Sequence, residues 1–262
     1  MNFVDTHAHI HFKNYPLDPE TTWQEAKDAG VTRMLAVGCD IESSINAVKF
    51  AQKHDGIFAV IGVHPHEAAK FLPVSDGMNE LRSLLKDISG NKIVGIGEFG
   101  LDYYYEHSPK KDQQKLVKMH LELASEYDLP VVLHIRDAFE DFWPVFDEFH
   151  TKKPLRGVVH CFTAHEEELN QALSRGLYVA LNGIITFTKD EKQLKAARKL
   201  PLNRMLLETD APYLTPKPFR GKICKPEHVV LTARFLAEIR GEELEEISEQ
   251  TTKNAQFLFD LR

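Results

Sequence analysis

Phe3-Val4-Asp5-Thr6-His7-Ala8-His9 opens the chain with a short apolar run that ends in Asp-Thr-His-x-His. Read as a strand, its side chains alternate between faces, so Asp5, His7 and His9 project the same way. Two imidazoles on one face, two residues apart, are spaced to chelate a metal ion, with the Asp5 carboxylate behind to orient one of them. Polar residues at a frayed chain start would look the same. The reading therefore depends on whether later strands deliver more ligands to the same end.

Working outward, Pro19 to Ala29 reads as a helix stopped by Gly30, and Arg33 to Gly38 as an apolar strand. The pair then repeats. Helical segments at 41–53, 78–88, 108–127, 137–148, 165–174 and 189–199 alternate with apolar runs at 57–63, 92–97, 130–133, 155–159, 177–181 and 204–207. Two more helices, 227–240 and 242–258, close the chain. Strands apolar on both faces that alternate with helices indicate a parallel sheet with helices outside it. Eight such units match a closed (β/α)8 TIM barrel of the α/β class better than an open sheet. With no composition break or low-complexity linker, residues 1–262 read as one domain.

The chain has 262 residues, 43% hydrophobic and 27% charged, an ordinary globular composition able to bury a large core without disulfides. Its three cysteines, Cys39, Cys161 and Cys224, are odd in number and form no CxxC pattern, which suggests a reducing compartment. No secretory leader and no apolar run of about 18 residues is evident, so the expected location is cytoplasmic, without membrane contact. The net charge of −7 argues against a protein that coats nucleic acid nonspecifically, but not against a nuclease with a local cationic patch. The usual nucleotide fingerprints, G-x-G-x-x-G after the first strand and G-x-x-x-x-G-K-[ST], are absent.

In such a barrel, chemistry sits at the carboxyl ends of the strands. Those ends carry His7 and His9, His64 and His66, Glu98 and Asp102, His134 and Arg136, His160 and Phe162, and Glu208 and Asp210. Any one of these residues alone reads as a turn, a cap or a satisfied core histidine. Six of eight strands bringing His, Glu or Asp to one rim reads as a site. Four histidines and two carboxylates exceed the roughly three protein ligands of a catalytic zinc. They suit two ions about 3.5–4 Å apart that share a bridging carboxylate. In this reading His7, His9 and Asp210 hold one ion, His134 and His160 the other, and Glu98 bridges them. Asp210 is the expected general base for a water acidified by the metals. Imidazole-rich ligation suits Zn, Mn or Ni, whereas Mg favours oxygen ligands and retained waters; the identity of the two divalent ions stays open, with Zn, Mn and Mg the candidates.

Together Val4-Asp-Thr-His-x-His9, Gly62-Val-His-Pro-His66, Gly95-Ile-Gly-Glu-Phe-Gly-Leu-Asp102, Leu133-His-x-Arg136, His160-Cys-Phe162 and Leu207-Glu-Thr-Asp-Ala-Pro-Tyr213 closely resemble the TatD family of metal-dependent deoxyribonucleases, within the amidohydrolase superfamily. The resemblance runs from Asn2 to about Phe259 in the right order. It implies a two-metal barrel whose ligands match His7, His9, Glu98, His134, His160 and Asp210. It also implies hydrolysis of phosphodiesters in DNA, often from the 3′ end, with single-stranded DNA or 3′ ends as substrate.

His64, Arg136, Phe162, Arg220 and Lys222 are the candidates for substrate contact, and Asp5 and Glu208 for support behind the ligands. Lys217, Arg220, Lys222 and Lys225 put four cations within nine residues after Asp210, a patch able to grip phosphates. Tyr103, Tyr104 and Tyr105 offer rings on which bases could stack. Two departures from the family pattern, Arg220-Gly-Lys-Ile-Cys-Lys-Pro226 and His160-Cys-Phe-Thr-Ala164, lie where substrate would be held. They bear on substrate preference more than on hydrolysis. The second reading is therefore an ester or amide hydrolase on the same metals, such as a deacylase of D-aminoacyl-tRNA. A third, a non-catalytic metal-stabilised binding protein, is disfavoured by the full ligand set. The charge-rich outer helix segment Glu242 to Glu249 is consistent with a monomer.

Overall fold

The computed structural model describes residues 1–73, 77–105 and 107–261. In chain order the elements are β1 (Phe3–Ala8), α1 (Pro19–Asp28), β2 (Val31–Val37), α2 (Ile41–Lys53), β3 (Ile57–Ile61), α3 (Ala68–Phe71), α4 (Gly77–Leu84), β4 (Ile93–Asp102) and α5 (Lys110–Tyr127). They continue as β5 (Val131–Arg136), α6 (Phe139–His150), β6 (Gly157–Val159), α7 (Glu166–Ser174), β7 (Tyr178–Leu181), α8 (Glu191–Lys199), β8 (Met205–Leu207), α9 (Val229–Arg240) and α10 (Leu244–Phe259). The eight strands belong to one sheet in the order of the chain, the strand order of a (β/α)8 barrel. Among the described residues no helix is long and apolar enough to cross a membrane.

Two compact units make up the chain, Met1–Leu35 with His160–Arg262, and Ala36–Val159. Within the second unit, β3 pairs with β4, β4 with β5 and β5 with β6, all parallel. Helix α2 starts sharply because Asp40 and Ser43 cap it reciprocally: Asp40 Oδ1 accepts from the Ser43 N–H, and Ser43 Oγ accepts from the Asp40 N–H. In the first unit β7 pairs with β8, and β1 closes on the far side of β8 through a bridge between Ala8 and Ala211, where the His9 N–H donates to the Ala211 carbonyl at 2.7 Å.

Element identity follows the predicted rhythm, and the boundaries move for local reasons. The strand expected at 92–97 continues to Asp102 as β4. Glycines and a glutamate look like a strand end in sequence, but here they allow close approach. A Cβ on Gly100 would lie 1.8 Å from the His134 carbonyl oxygen, so only glycine fits against β5 at that register. Helix α5 begins at Lys110 rather than Ser108, because Pro109 stands before its first turn. Ser108 does other work: its hydroxyl donates to the His66 carbonyl and accepts from the Ala69 N–H, pinning the turn after β3. The short helix α3 in that connection carries no separate signal in the periodicity.

Candidate functional site

In the first unit, the end of β1 and the turn after β8 are locked together by Asp5. Its Oδ1 accepts from the N–H groups of His7 (3.2 Å) and Thr209 (2.9 Å), and its Oδ2 accepts from the Thr209 hydroxyl (2.6 Å). Burial pushes its carboxyl up to about 8 against the pull of those hydrogen bonds. Asp5 thus fixes the backbone that carries His7. Asp210 follows in a left-handed conformation (φ 62°) that aspartate tolerates, with its N–H donating to the His7 carbonyl at 2.8 Å.

That geometry brings three ligand-type atoms together. His7 Nε2 and His9 Nε2 are 3.1 Å apart, His9 Nε2 and Asp210 Oδ1 3.2 Å, and His7 Nε2 and Asp210 Oδ1 3.7 Å. Ligands each about 2.1 Å from a shared ion lie roughly 3–3.5 Å apart; two of these distances fall in that range and the third is slightly longer, so the three atoms could hold one ion. His160 joins the same neighbourhood. Its ring stacks on His7 at 4.0 Å, and a ligand atom of each of His7, His160 and Asp210 lies within 4.8 Å of the others. Behind it, Glu208 is fully buried, with Oε1 3.5 Å from His160 Nδ1 and accepting from the Cys161 N–H and the Asn182 side-chain amide. A carboxylate against one imidazole nitrogen directs the other outward, the usual support of a metal-binding histidine.

The second unit holds a second group. Glu98 Oε2 lies 3.5 Å from His134 Nδ1 and 3.9 Å from His64 Nε2, and the three residues form a set able to hold an ion. Glu98 Oε1 also accepts from the Cys39 thiol at 3.2 Å. His134 turns Nδ1 toward Glu98 because its Nε2 sits 3.0 Å from Asp102 Oδ2, which His66 Nε2 also reaches at 3.0 Å. Burial opposes ionisation of Asp102, but the hydrogen bonds from His134 and His66 outweigh it and hold the carboxyl far below the usual range. Asp102 and His66 appear in the strand-end motifs, yet no role for either could be read from them. The Asp102 carboxylate gives no sign in sequence of which histidines it serves until β4 and β5 are in register.

The substrate-contact candidates distribute between the units. Arg136 places its guanidinium over the rings of Tyr104 (4.0 Å) and Tyr105 (4.7 Å). Phe162 is buried just past β6. Arg220 is exposed and packs 3.6 Å over Phe187 while its Nη1 donates to the Thr215 carbonyl, and Lys222 lies 5.4 Å over Phe219. Lys225 leaves the expected cationic patch, because its ammonium is paired with Glu25 at 2.7 Å and Glu227 at 3.5 Å.

Comparison with known proteins sets this arrangement in a family. Residues 4–260 match the family model of the TatD related DNases. The chain is 36% identical to the metal-dependent hydrolase YabD of Bacillus subtilis, over 97% of this chain and 98% of that protein. It is 32% identical to the deoxyribonuclease Tat-D of Schizosaccharomyces pombe, over 92% of this chain and 87% of that one. The solved structure of the TatD homologue YjjV from Escherichia coli superposes with a TM-score of 0.90 at 30% identity, covering 98% of both chains. With imidazoles and carboxylates gathered closely enough to hold an ion and a family match over nearly its whole length, the chain belongs to the TatD-related DNases, a family of metal-dependent hydrolases.

Proposed function

We propose that this protein is a deoxyribonuclease that uses two divalent metal ions, Zn, Mn or Mg, to hydrolyse phosphodiester bonds at the 3′ ends of DNA. The observation that carries the reading is the convergence of His7 Nε2, His9 Nε2 and Asp210 Oδ1 at 3.1–3.7 Å, a donor set chemically suited to a divalent ion. His7, His9, His160 and Asp210 in one unit, and Glu98 and His134 in the other, are the assigned ligands. Glu98 would be the carboxylate shared by the two ions. When bound, the ions supply Lewis-acid polarisation of the phosphoryl group and lower the pKa of water.

The chain's own groups do the rest. Asp210 is partly open to solvent, with its side chain 16% exposed, so it can take a proton from the attacking water as the oxygen joins phosphorus. The P–O bond to the leaving alkoxide breaks, and that alkoxide takes up the proton Asp210 has accepted. Asp5 accepts from the His7 N–H and so fixes the backbone that carries this ligand, and Glu208, 3.5 Å from His160 Nδ1, orients that ring. Arg136, Arg220, Lys222 and His64 serve the phosphates, and Phe162 walls the substrate side.

The test is a gel assay of end-labelled single-stranded DNA with metal-stripped protein re-supplied with Mg, Mn or Zn, beside Asp210→Asn. A metal-dependent ladder shortening from the 3′ end, lost in the folded variant by a factor of about 10²–10⁴, is expected. An Asp210→Asn enzyme that retains its rate removes Asp210 as base. No cleavage with metals bound removes the phosphodiesterase reading and turns the search to D-aminoacyl-tRNA and small esters.

A further inference from the structure

One carboxylate in the second unit does two jobs. Asp102 Oδ2 receives His134 and His66, while its Oδ1 accepts from the backbone N–H groups of Tyr104 (3.0 Å) and Tyr105 (3.1 Å). The Asp102 N–H in turn donates to Gln113 Oε1 at 2.8 Å, which ties the carboxylate's own backbone to α5. Tyr104 and Tyr105 are therefore held in fixed relation to His134, yet their rings project into solvent, 58% and 50% exposed. About half of each of two adjacent rings is left to water, an aromatic surface open to a ligand. Tyr103 differs. Its hydroxyl donates to Asp141 at 2.8 Å and Lys110 covers its ring at 4.0 Å, so it belongs to the scaffold.

Around the two exposed rings the surroundings are cationic and aromatic. Arg136 lies over both, the rings of Tyr104 and Tyr105 meet edge to face at 4.8 Å, and Tyr105 stacks on His107 at 5.6 Å and 10°. A partly exposed aromatic step beside a guanidinium matches one ligand chemistry closely: an unpaired nucleobase with its phosphate. A base inside a duplex hides its faces in the stack, so the step takes a strand end or a frayed terminus.

We propose that Tyr104 and Tyr105, with Arg136, form a base-stacking step that seats an unpaired nucleobase of the substrate strand in fixed relation to His134. Asp102 sets the distance from that base to His134. The step rests on the nucleic-acid reading of the site, and it names what that reading leaves open: the enzyme grips the base as well as the backbone. A DNA strand end and the unpaired 3′ end of a tRNA share this chemistry.

The experiment measures binding of short fluorescent strands with uncleavable phosphorothioate linkages to the metal-loaded protein by anisotropy. One strand carries bases, a second of equal length is abasic, and the first is made in deoxy and ribo forms. The double variant Tyr104→Leu/Tyr105→Leu should raise Kd for the base-bearing strand about 5- to 150-fold, the range of stacking one base on an aromatic side chain. It should leave the abasic strand unaffected, and Tyr104→Phe/Tyr105→Phe should bind like the parent. A 2-aminopurine at the 3′ terminus should lose fluorescence on binding the parent and not the leucine variant. The deoxy and ribo strands identify which polymer supplies the base. Equal Kd for parent and leucine variant on the base-bearing strand overturns the stacking step while the nucleic-acid reading stands. A parent that binds none of the strands overturns both.

Discussion

Acid should destabilise this protein through a histidine far from any candidate ligand set in sequence. His120, fully buried on α5, stacks on Phe99 at 4.9 Å. Its Nδ1–H donates to the Leu116 carbonyl at 2.9 Å, and its Nε2 accepts from the Val63 N–H at 3.0 Å, immediately before His64. The two bonds require the neutral ring, since a proton on Nε2 would face the Val63 N–H. Burial accordingly lowers its pKa from 6.5 to about 4, partly opposed by the bond to Leu116. Because the folded pKa is depressed, the unfolded chain takes up a proton near pH 6.5 while the folded protein waits until about 4. Stability from this group is complete above about pH 6.5 and declines as the pH falls between those values. Integrated, the loss is about 2 kcal/mol at pH 5 and roughly 3 kcal/mol below pH 4.

Urea denaturation of the parent and His120→Gln at pH 7 and pH 5 measures it. Glutamine supplies a donor and an acceptor without titrating. His228, also lowered to about 4 by burial first and Lys225 second, contributes the same sign in both proteins and cancels in the comparison. The variant should lose about 2 kcal/mol less than the parent between the two pH values. Equal losses would refute the assignment of acid sensitivity to His120.

Asp102→Asn should weaken metal binding about 10- to 100-fold, because His134 loses the carboxylate that orients it; isothermal titration of the metal-stripped protein measures this, and an unchanged affinity would separate Asp102 from the metal. Arg220→Ala/Lys222→Ala should raise KM and flatten the salt dependence of substrate binding by about one unit of slope per phosphate contact removed, with kcat preserved. A fall in kcat at constant KM would place these cations elsewhere in the reaction. Gly100→Ala should abolish soluble folded protein or shift its denaturation midpoint far downward, because the added methyl meets the His134 backbone oxygen; a stable variant would show that β4 and β5 can separate.

Much of the architecture was legible because its signals are local. A strand buried on both faces must be apolar throughout, and a surface helix must repeat every three to four residues, so the alternation of 57–63, 78–88 and 92–97 reads directly from composition. The chemistry-bearing residues were nominated for a related reason: a (β/α)8 barrel puts its strand ends on one rim, so widely separated His, Glu and Asp read in sequence as one group. Partner choice was not. The imidazole of His160 stacks on His7, a contact within the first unit between residues 153 positions apart that no periodicity encodes. The exposed appearance of Lys225 dissolves for the same reason, since Glu25 is 200 positions away in sequence and 2.7 Å away in the fold.

The three consecutive tyrosines are the sharpest case. Side-chain type is identical at 103, 104 and 105, and sequence treats them alike. Asp141, Lys110 and Arg136 separate them, taking the first into the scaffold and leaving the next two rings in solvent. Sequence by itself determined the rhythm of elements and the kinds of atoms available at the strand ends, because both follow from residue type and short-range spacing. Tertiary structure decided which of those atoms meet, which carboxylate turns which imidazole, and which cations stay free for a ligand. Those outcomes depend on distances of a few ångströms between segments that the chain order leaves far apart.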